Sequence, residues 1–135
     1  MYRRDYILRL IERFGRMLIA LRDRILRREA DAAEVTAKIS EMAEQAGVDL
    51  DMARRLDPAS LLLWLAPFDD FDQARVWLVA ELLYLEGLQT GTAGADDLRR
   101  ALALYSRLPE EWKPTDDFAT AGERAAELKR LLSGR

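Results

Sequence analysis

The first 28 residues carry a long amphipathic pattern that limits the folds available to the chain. Apolar residues recur there at spacings of four and three positions: Ile7, Ile11, Phe14, Leu18, Leu21 and Ile25. This spacing places the side chains along one face of an α-helix and is typical of a seam between helices. We therefore predict one long helix from about Tyr2 to Glu29.

Other apolar residues flank this seam on both sides, so the apolar arc of the helix is unusually wide. On one side lie Tyr6, Leu10 and Met17, and on the other lie Leu8, Ile19 and Leu26. The arc covers roughly 220°, against about 100° for a helix that lies on the surface of a domain. The helix is therefore either central in a bundle, or packed on its own domain with one side and on a partner with the other. We expect that partner to be a second copy of the chain, with the six seam residues as the self-association seam.

The same segment is strongly basic, whereas the rest of the chain is acidic. Residues 1–28 contain nine Arg and three acidic residues, although the whole chain has a formal net charge of −3. A basic amphipathic helix on an acidic body can be an electrostatic arm. Alternatively, its Arg side chains pair with carboxylates of the same fold or across a dimer, which we favour because it needs no external partner.

The rest of the chain also has the signals of short helices. Apolar periodicity and breakers predict helices at about 31–46, 49–56, 58–66, 70–88, 95–108 and 116–132. The expected boundary signals are Gly47 as a C-cap, Asp57-Pro58 as a helix start, Pro67 as a stop and Thr115 as the last N-cap. Residues 89–97, which include Gly91 and Gly94, are expected to form a flexible loop. Strict alternation of apolar and polar residues is missing, so the prediction is an all-α, multi-helix bundle in a single domain, with parts 1–67 and 68–135.

Composition excludes several kinds of chemistry. The 135 residues include no Cys and no His, which removes thiol chemistry and both the commonest general base and the commonest transition-metal ligand. No stretch has the 18 or so consecutive apolar residues of a membrane span, and no signal peptide is recognisable, so we expect a cytoplasmic protein. No Gly-rich phosphate loop or nucleophile motif occurs either. We predict no catalytic, cofactor-binding or metal-binding residues and no cofactor.

Several acidic residues are candidate cation ligands. Asp69, Asp70 and Asp72 lie in the stretch FDDFD, and pairs of Asp recur at 96–97 and 116–117. Dense carboxylates can bind divalent cations, but FDDFD lacks the spacing of a calcium loop, and acidic residues are typical of first helical turns. Glu81 and Glu86 lie in an apolar helix, where a carboxylate can be a metal ligand but more often pairs with Arg. We interpret these residues as structural, with a metal-dependent enzyme as the alternative.

Aromatic residues have a similar choice of roles. Trp64, Trp77 and Trp112 could line a ligand pocket, but in a small helical domain they are more often core and lid residues.

Basic helices that bind nucleic acid usually belong to basic domains, whereas this chain has a pI of about 5.1. A membrane surface fits the basic polar face better, although the apolar arc is also needed for a core.

Two resemblances add to this interpretation. The stretch ADDLRRALALYSRLPEEW resembles the second helix of a tetratricopeptide repeat, with Leu98, Ala101, Tyr105 and Leu108 at its packing positions and Pro109 following. The helix before it, with Ala80, Leu83 and Tyr84, would be its partner. The resemblance covers about residues 72–108, and no second copy follows at a period of about 34 residues. It implies an antiparallel helical array in the C-terminal half.

The opening of the chain is similar to that of a family of small uncharacterised bacterial all-helical proteins. Those chains begin with Asp-Tyr-Ile, an apolar residue and Arg, which are Asp5, Tyr6, Ile7, Leu8 and Arg9 here. The resemblance supports the fold and implies no activity. Together the observations predict a protein–protein interaction or scaffolding module without catalytic activity, as a homodimer and with an unknown protein partner. The alternative is membrane-surface or small-ligand binding through the basic N-terminal helix, and nucleic acid is disfavoured.

Overall fold

A computed structural model describes residues 2–65 and 72–134, with side chains from Tyr6 onward except that of Thr92. Seven α-helices follow one another in this part of the chain: α1 (Tyr2–Leu26), α2 (Ala32–Ala46), α3 (Leu50–Arg55), α4 (Pro58–Leu65), α5 (Gln73–Thr90), α6 (Ala95–Tyr105) and α7 (Ala121–Ser133). A single turn of 3-10 helix, Gly91–Gly94, joins α5 to α6. The described ranges contain no β-strand, which confirms the all-α prediction.

The helix starts in the first half follow the capping signals of the sequence. Asp31 and Asp49 accept hydrogen bonds from the backbone N–H of Glu34 and Met52, and so cap α2 and α3. Asp57 accepts from the Ser60 N–H at 2.7 Å, in front of Pro58. Gly47 ends α2 in the left-handed region at φ 70°, which glycine adopts at little cost. Pro67, the predicted stop of α4, lies outside the described residues.

Helix α5 is the centre of the fold. It is buried from Val76 to Gly87 without interruption, and α1, α2 and α6 all contact it. Helix α6 in turn contacts α4 and α7. The buried apolar residues of both halves of the chain form one cluster. A helix buried on all sides needs an apolar surface all round, and this explains why α5 has no clear polar face.

The apolar face of α1 packs within its own chain. Ile7, Ile11, Leu18, Leu21 and Ile25 are buried, and Phe14 is half-buried. The flanking residues Leu8, Met17 and Ile19 pack against the same core, whereas Tyr6 and Leu26 are about half exposed. The predicted seam is therefore the core-facing side of α1 within its own chain.

The segment predicted as a flexible loop is instead a tight helical connection. Helix α5 continues to Thr90, and α6 begins at Ala95 directly after the 3-10 turn. A Cβ on Gly94 would lie 2.2 Å from the carbonyl oxygen of Gly87, so the two backbones meet at this point. The prediction was wrong because Gly94 allows close packing and Gly91 adopts a positive φ of 64° within a tight turn.

The start of the last helix was also predicted wrongly. Thr115 does not cap a helix, and Asp116 and Asp117 lie in an irregular segment. Thr120 is the N-cap of α7, and it forms a capping box in which Glu123 accepts from the Thr120 N–H at 2.8 Å. The segment between α6 and α7 folds against the core through Phe118, whose ring packs edge-on against Trp77 at a centroid distance of 4.9 Å.

None of the helices in the described ranges is both long and apolar enough to cross a membrane.

Candidate functional site

The interior contains an ion pair between two elements that are far apart in sequence. Glu81 of α5 and Arg124 of α7 are 1% and 5% exposed. The Arg124 guanidinium binds the carboxylate in a bidentate manner, from Nε to Oε1 at 3.3 Å and from Nη2 to Oε2 at 3.0 Å. The hydroxyl of Tyr105 in α6 donates to Glu81 Oε1. The pair therefore joins α5, α6 and α7.

A second carboxylate extends this pair towards the surface. Glu127, one turn along α7, accepts from Arg124 Nη1 at 3.4 Å and from the Tyr84 hydroxyl. Arg22 of α1 donates to the Tyr84 oxygen at 2.7 Å and to Glu127 Oε1 at 3.3 Å. We call these six residues the ionic network: Arg22, Glu81, Tyr84, Tyr105, Arg124 and Glu127. It connects the first helix to the last across α5.

Burial and neighbouring charges raise the pKa values of three groups of the network, Tyr84, Tyr105 and Arg124. Burial raises the pKa of the Tyr105 hydroxyl well above its usual value, and the Glu81 charge raises it further. Burial likewise raises the pKa of Tyr84, against the opposing effect of Arg124. Burial disfavours the charge on Arg124, but Glu81 and the two tyrosines more than compensate, so the pKa of Arg124 is raised. Its guanidinium also lies over the Tyr84 ring, 4.5 Å from the centroid.

All four carboxylate oxygens of the network have donors. Glu81 Oε1 and Oε2 are occupied by Tyr105 and Arg124, and Glu127 Oε1 and Oε2 by Arg22, Arg124 and Tyr84. A buried network with every polar group paired rigidifies a core. Because each carboxylate oxygen already accepts from a donor of the same network, the geometry favours a structural role.

A second polar feature is a cleft of about 440 Å³ between α2, α3 and α5. Its polar lining comes from Thr36, Ser40, Glu44, Asp49, Asp51, Arg54 and Glu86, and its apolar lining from Ile39, Ala43, Val48 and Leu50. Four carboxylates against one guanidinium make it acidic. We call it the acidic cleft.

Glu86 is the one buried carboxylate of the acidic cleft. It is 9% exposed, and its Oε1 accepts from the Thr36 hydroxyl at 3.2 Å. Arg54 Nη2 lies 3.8 Å from the same oxygen, too far for a hydrogen bond, and its Nε faces Asp97 at 3.5 Å. Glu86 Oε2 has no hydrogen-bond partner among the described residues. Burial raises the pKa of Asp97, and Arg54 partly offsets this.

A third feature is an apolar surface on α4. Leu63 is 70% exposed and Trp64 is 38% exposed, while Leu61 and Leu65 of the same helix are buried. Single exposed apolar residues are ordinary, but a Leu next to a Trp on a helix with almost no polar residues is less so. This pair forms what we call the α4 patch.

The sequence-predicted residues can now be placed. Glu81 pairs with Arg, as the structural interpretation expected. Asp72 caps α5, while Asp69 and Asp70 lie outside the described residues. The described residues contain no group of carboxylates arranged to hold a metal ion. Trp77 is a core residue, Trp112 is half-buried, and Trp64 is the most exposed of the three.

The basic residues of α1 divide into two groups. Arg22 and Arg24 form ion pairs with Glu127 and Glu34, so part of the basic charge is matched within the fold. Arg9, Arg13 and Arg16 are exposed on the polar face. Because the apolar face of α1 is in the core, it offers little for insertion into a lipid surface.

Sequence reasoning did not identify Arg124 and Arg54 as the partners of the α5 carboxylates, or Arg22 and Glu127 as members of the ionic network. Arg124 lies 43 positions from Glu81, and no local pattern relates the two. The available signal was Glu81 itself, since a charged residue inside an apolar helix needs an opposite charge from another element.

Comparison with known proteins adds no relative: no family model, no curated protein and no solved structure matches the chain.

Proposed function

We propose that the protein is a non-catalytic protein–protein interaction module that self-associates through the α4 patch. The observation that carries this proposal is that Leu63 and Trp64 are adjacent and both exposed, whereas most other large apolar residues that the structure describes are buried. Trp is enriched among residues that dominate binding energy at interfaces, and exposed neighbouring apolar groups favour association.

A second copy is the partner we propose for this surface. In a two-fold symmetric contact, the same patch supplies both halves of the interface, so Leu63 and Trp64 of each copy would cover those of the other. The sequence pattern suggested self-association through α1, but the seam there is occupied by the chain's own core. The α4 patch has no such partner within the described residues. A patch of two large residues is small, so the dimer should be weak and dependent on concentration.

The filled ionic network supports the non-catalytic part of the proposal. Its carboxylates and phenols already donate to or accept from one another. Its rigidity would suit a module that presents a fixed surface.

The test is light scattering coupled to size-exclusion chromatography over a range of protein concentrations. We expect the mass to rise towards that of a dimer with concentration, and Leu63→Asp to keep the protein monomeric. Leu63 is mostly exposed, so this change should leave the fold intact. The matched control is Leu26→Asp, at a half-exposed Leu on α1, which should dimerise like the wild type.

A monomer at every concentration would overturn self-association. A dimer that Leu63→Asp leaves unchanged would also contradict the proposal, because association would then use another surface. If only Leu26→Asp disrupts the dimer, the contact lies at the end of α1 instead.

A further inference from the structure

The buried carboxylate that lines the acidic cleft, Glu86, is only partly hydrogen-bonded within the described fold. Glu86 is brought there by α5, and one of its two oxygens accepts from Thr36. The other oxygen has no hydrogen-bond partner among the described residues and almost no exposed surface, and Glu86 as a whole is 9% exposed. Buried carboxylates in folded proteins are almost always paired or hydrogen-bonded, so an unpaired oxygen here is an exception that needs a reason.

Arg54 does not form a hydrogen bond with the Glu86 carboxylate. Its nearest guanidinium nitrogen is 3.8 Å from Glu86 Oε1, and its Nε faces Asp97 at 3.5 Å. The Arg54 side chain is one-third exposed, and its buried Nε has no hydrogen-bond partner among the described residues. Shared between two carboxylates, it also leaves no surplus positive charge to attract an anion.

The rim and walls indicate which ligand the cleft would accept. Glu44, Asp49 and Asp51 add negative charge at exposed positions, which attracts cations over a distance of several ångströms. Ile39, Val48 and Leu50 provide apolar wall beside the charge. A divalent metal ion needs several oxygens arranged around one point, and no such group occurs in the described residues. A cation with an apolar stem uses both the charge and the wall.

We infer that the acidic cleft binds an aliphatic cation, an ammonium or guanidinium group on a short alkyl chain, with Glu86 as its charged partner. The volume of about 440 Å³ lies within the range of small-ligand sites. The same chemistry is offered by a free alkyl amine and by a Lys or Arg side chain of another protein. This inference is independent of the α4 patch, because it concerns a different surface and a different ligand.

The test is a heteronuclear NMR titration of the full chain. The probes are n-butylammonium and n-butylguanidinium, with n-butanol as the neutral control, and a blocked tripeptide containing one Lys beside its Gln counterpart. We expect the amide signals of the cleft residues to shift, with dissociation constants in the millimolar range for the small probes and no saturable binding of butanol. Tighter binding of the Lys peptide would identify a protein side chain as the source, and binding of the free amines alone would identify a small molecule.

Variants then separate charge recognition from general attraction. Glu86→Gln keeps the shape of the side chain and should weaken binding at least about tenfold, as expected for loss of a charge-assisted hydrogen bond. Glu41→Gln removes an exposed carboxylate of α2 outside the cleft and should bind like the wild type. If Glu86→Gln fails to fold, judged by circular dichroism, the double variant Glu44→Gln/Asp51→Asn serves instead, because both positions are exposed. It should weaken binding several-fold at low salt and less at high salt.

Three results would overturn the inference. One is the absence of any saturable shift in the cleft with either cation. Another is binding of butanol as tight as that of butylammonium, which would mean that only the apolar wall matters. The last is equal affinity in the wild type and in the cleft variants.

Discussion

The Glu81–Arg124 pair offers a sharp test of how the core is held together. Replacing Arg124 with Leu would leave the Glu81 carboxylate, 1% exposed, with the Tyr105 hydroxyl as its remaining donor. Removing one partner of a buried ion pair typically costs about 3–5 kcal/mol, because an uncompensated charge stays in the interior. We expect this loss in the free energy of unfolding for Arg124→Leu, and a somewhat smaller loss for Glu81→Leu, because Arg124 then still pairs with Glu127.

The double variant Glu81→Leu/Arg124→Leu should be less damaged than either single variant. It contains no unpaired charge, because Glu127 keeps Arg22. Its remaining defects are the loss of the Arg124 bond to Glu127 and the Tyr105 hydroxyl without an acceptor, which costs about 1–3 kcal/mol. Two added Leu side chains also fill part of the vacated volume. The effects of the two substitutions should therefore be strongly non-additive.

Urea unfolding followed by far-ultraviolet circular dichroism measures these differences by linear extrapolation. The control is Arg99→Leu, at an ion pair with Asp96 of 2.8 Å whose side chains are 56% and 78% exposed. That change should cost less than about 1 kcal/mol, because water screens the pair. If the double variant loses as much stability as the two single variants together, the reasoning about unpaired charge is refuted.

Two further predictions concern the last helix and the buried tyrosines. Thr120→Ala should lower the free energy of unfolding by about 1 kcal/mol, because the α7 capping box is lost. Thr115→Ala should lower it by less than about 0.5 kcal/mol, because Thr115 caps no helix. If urea unfolding gives the opposite order, the assigned helix start is contradicted. Because the folded-state pKa values of Tyr84 and Tyr105 are raised, their stabilising contribution is complete below the unfolded pKa of about 10 and is lost as the pH rises above it. In an alkaline titration, tyrosinate absorbance from these two residues should appear together with loss of the helical signal, and ionisation of both within a fully helical protein would contradict this expectation.

The features that sequence analysis predicted well are those set by neighbouring residues. The spacing of Ile7, Ile11 and Leu18 gave the correct face of α1, because periodicity is a local property of one helix. Asp57-Pro58 and Gly47 marked real boundaries for the same reason. The spacing could not show whether this face meets the chain's own core or another copy, since both environments select the same residues.

The missed features depend on contacts between distant segments. Gly94 looked like a loop residue, but its role is to let the α6 start approach the backbone of Gly87. The start of α7 was an exception, because Thr120 and Glu123 form a recognisable capping box that outweighs the signal at Thr115.

The candidate sites were accessible to sequence analysis only through single residues. Glu81 and Glu86 are recognisable in the sequence as charges in an apolar helix. In the structure the two residues have different neighbours. Glu81 meets Arg124 in a filled pair, whereas Glu86 meets Arg54 only loosely. Which of two similar carboxylates is satisfied depends on where α3 and α7 lie, and that is decided by the packing of the whole chain.

The central position of α5 has a consequence for synthesis in the cell. Helix α1 leaves the ribosome before α5, against which its apolar face packs and which follows about fifty residues later. During that interval Ile7, Ile11 and Leu18 cannot pack against α5, and the nascent chain exposes a long apolar helix face. The opposite face of α1 carries the exposed Arg9, Arg13 and Arg16. Their positive charge opposes aggregation of the helix until α5 has been synthesised.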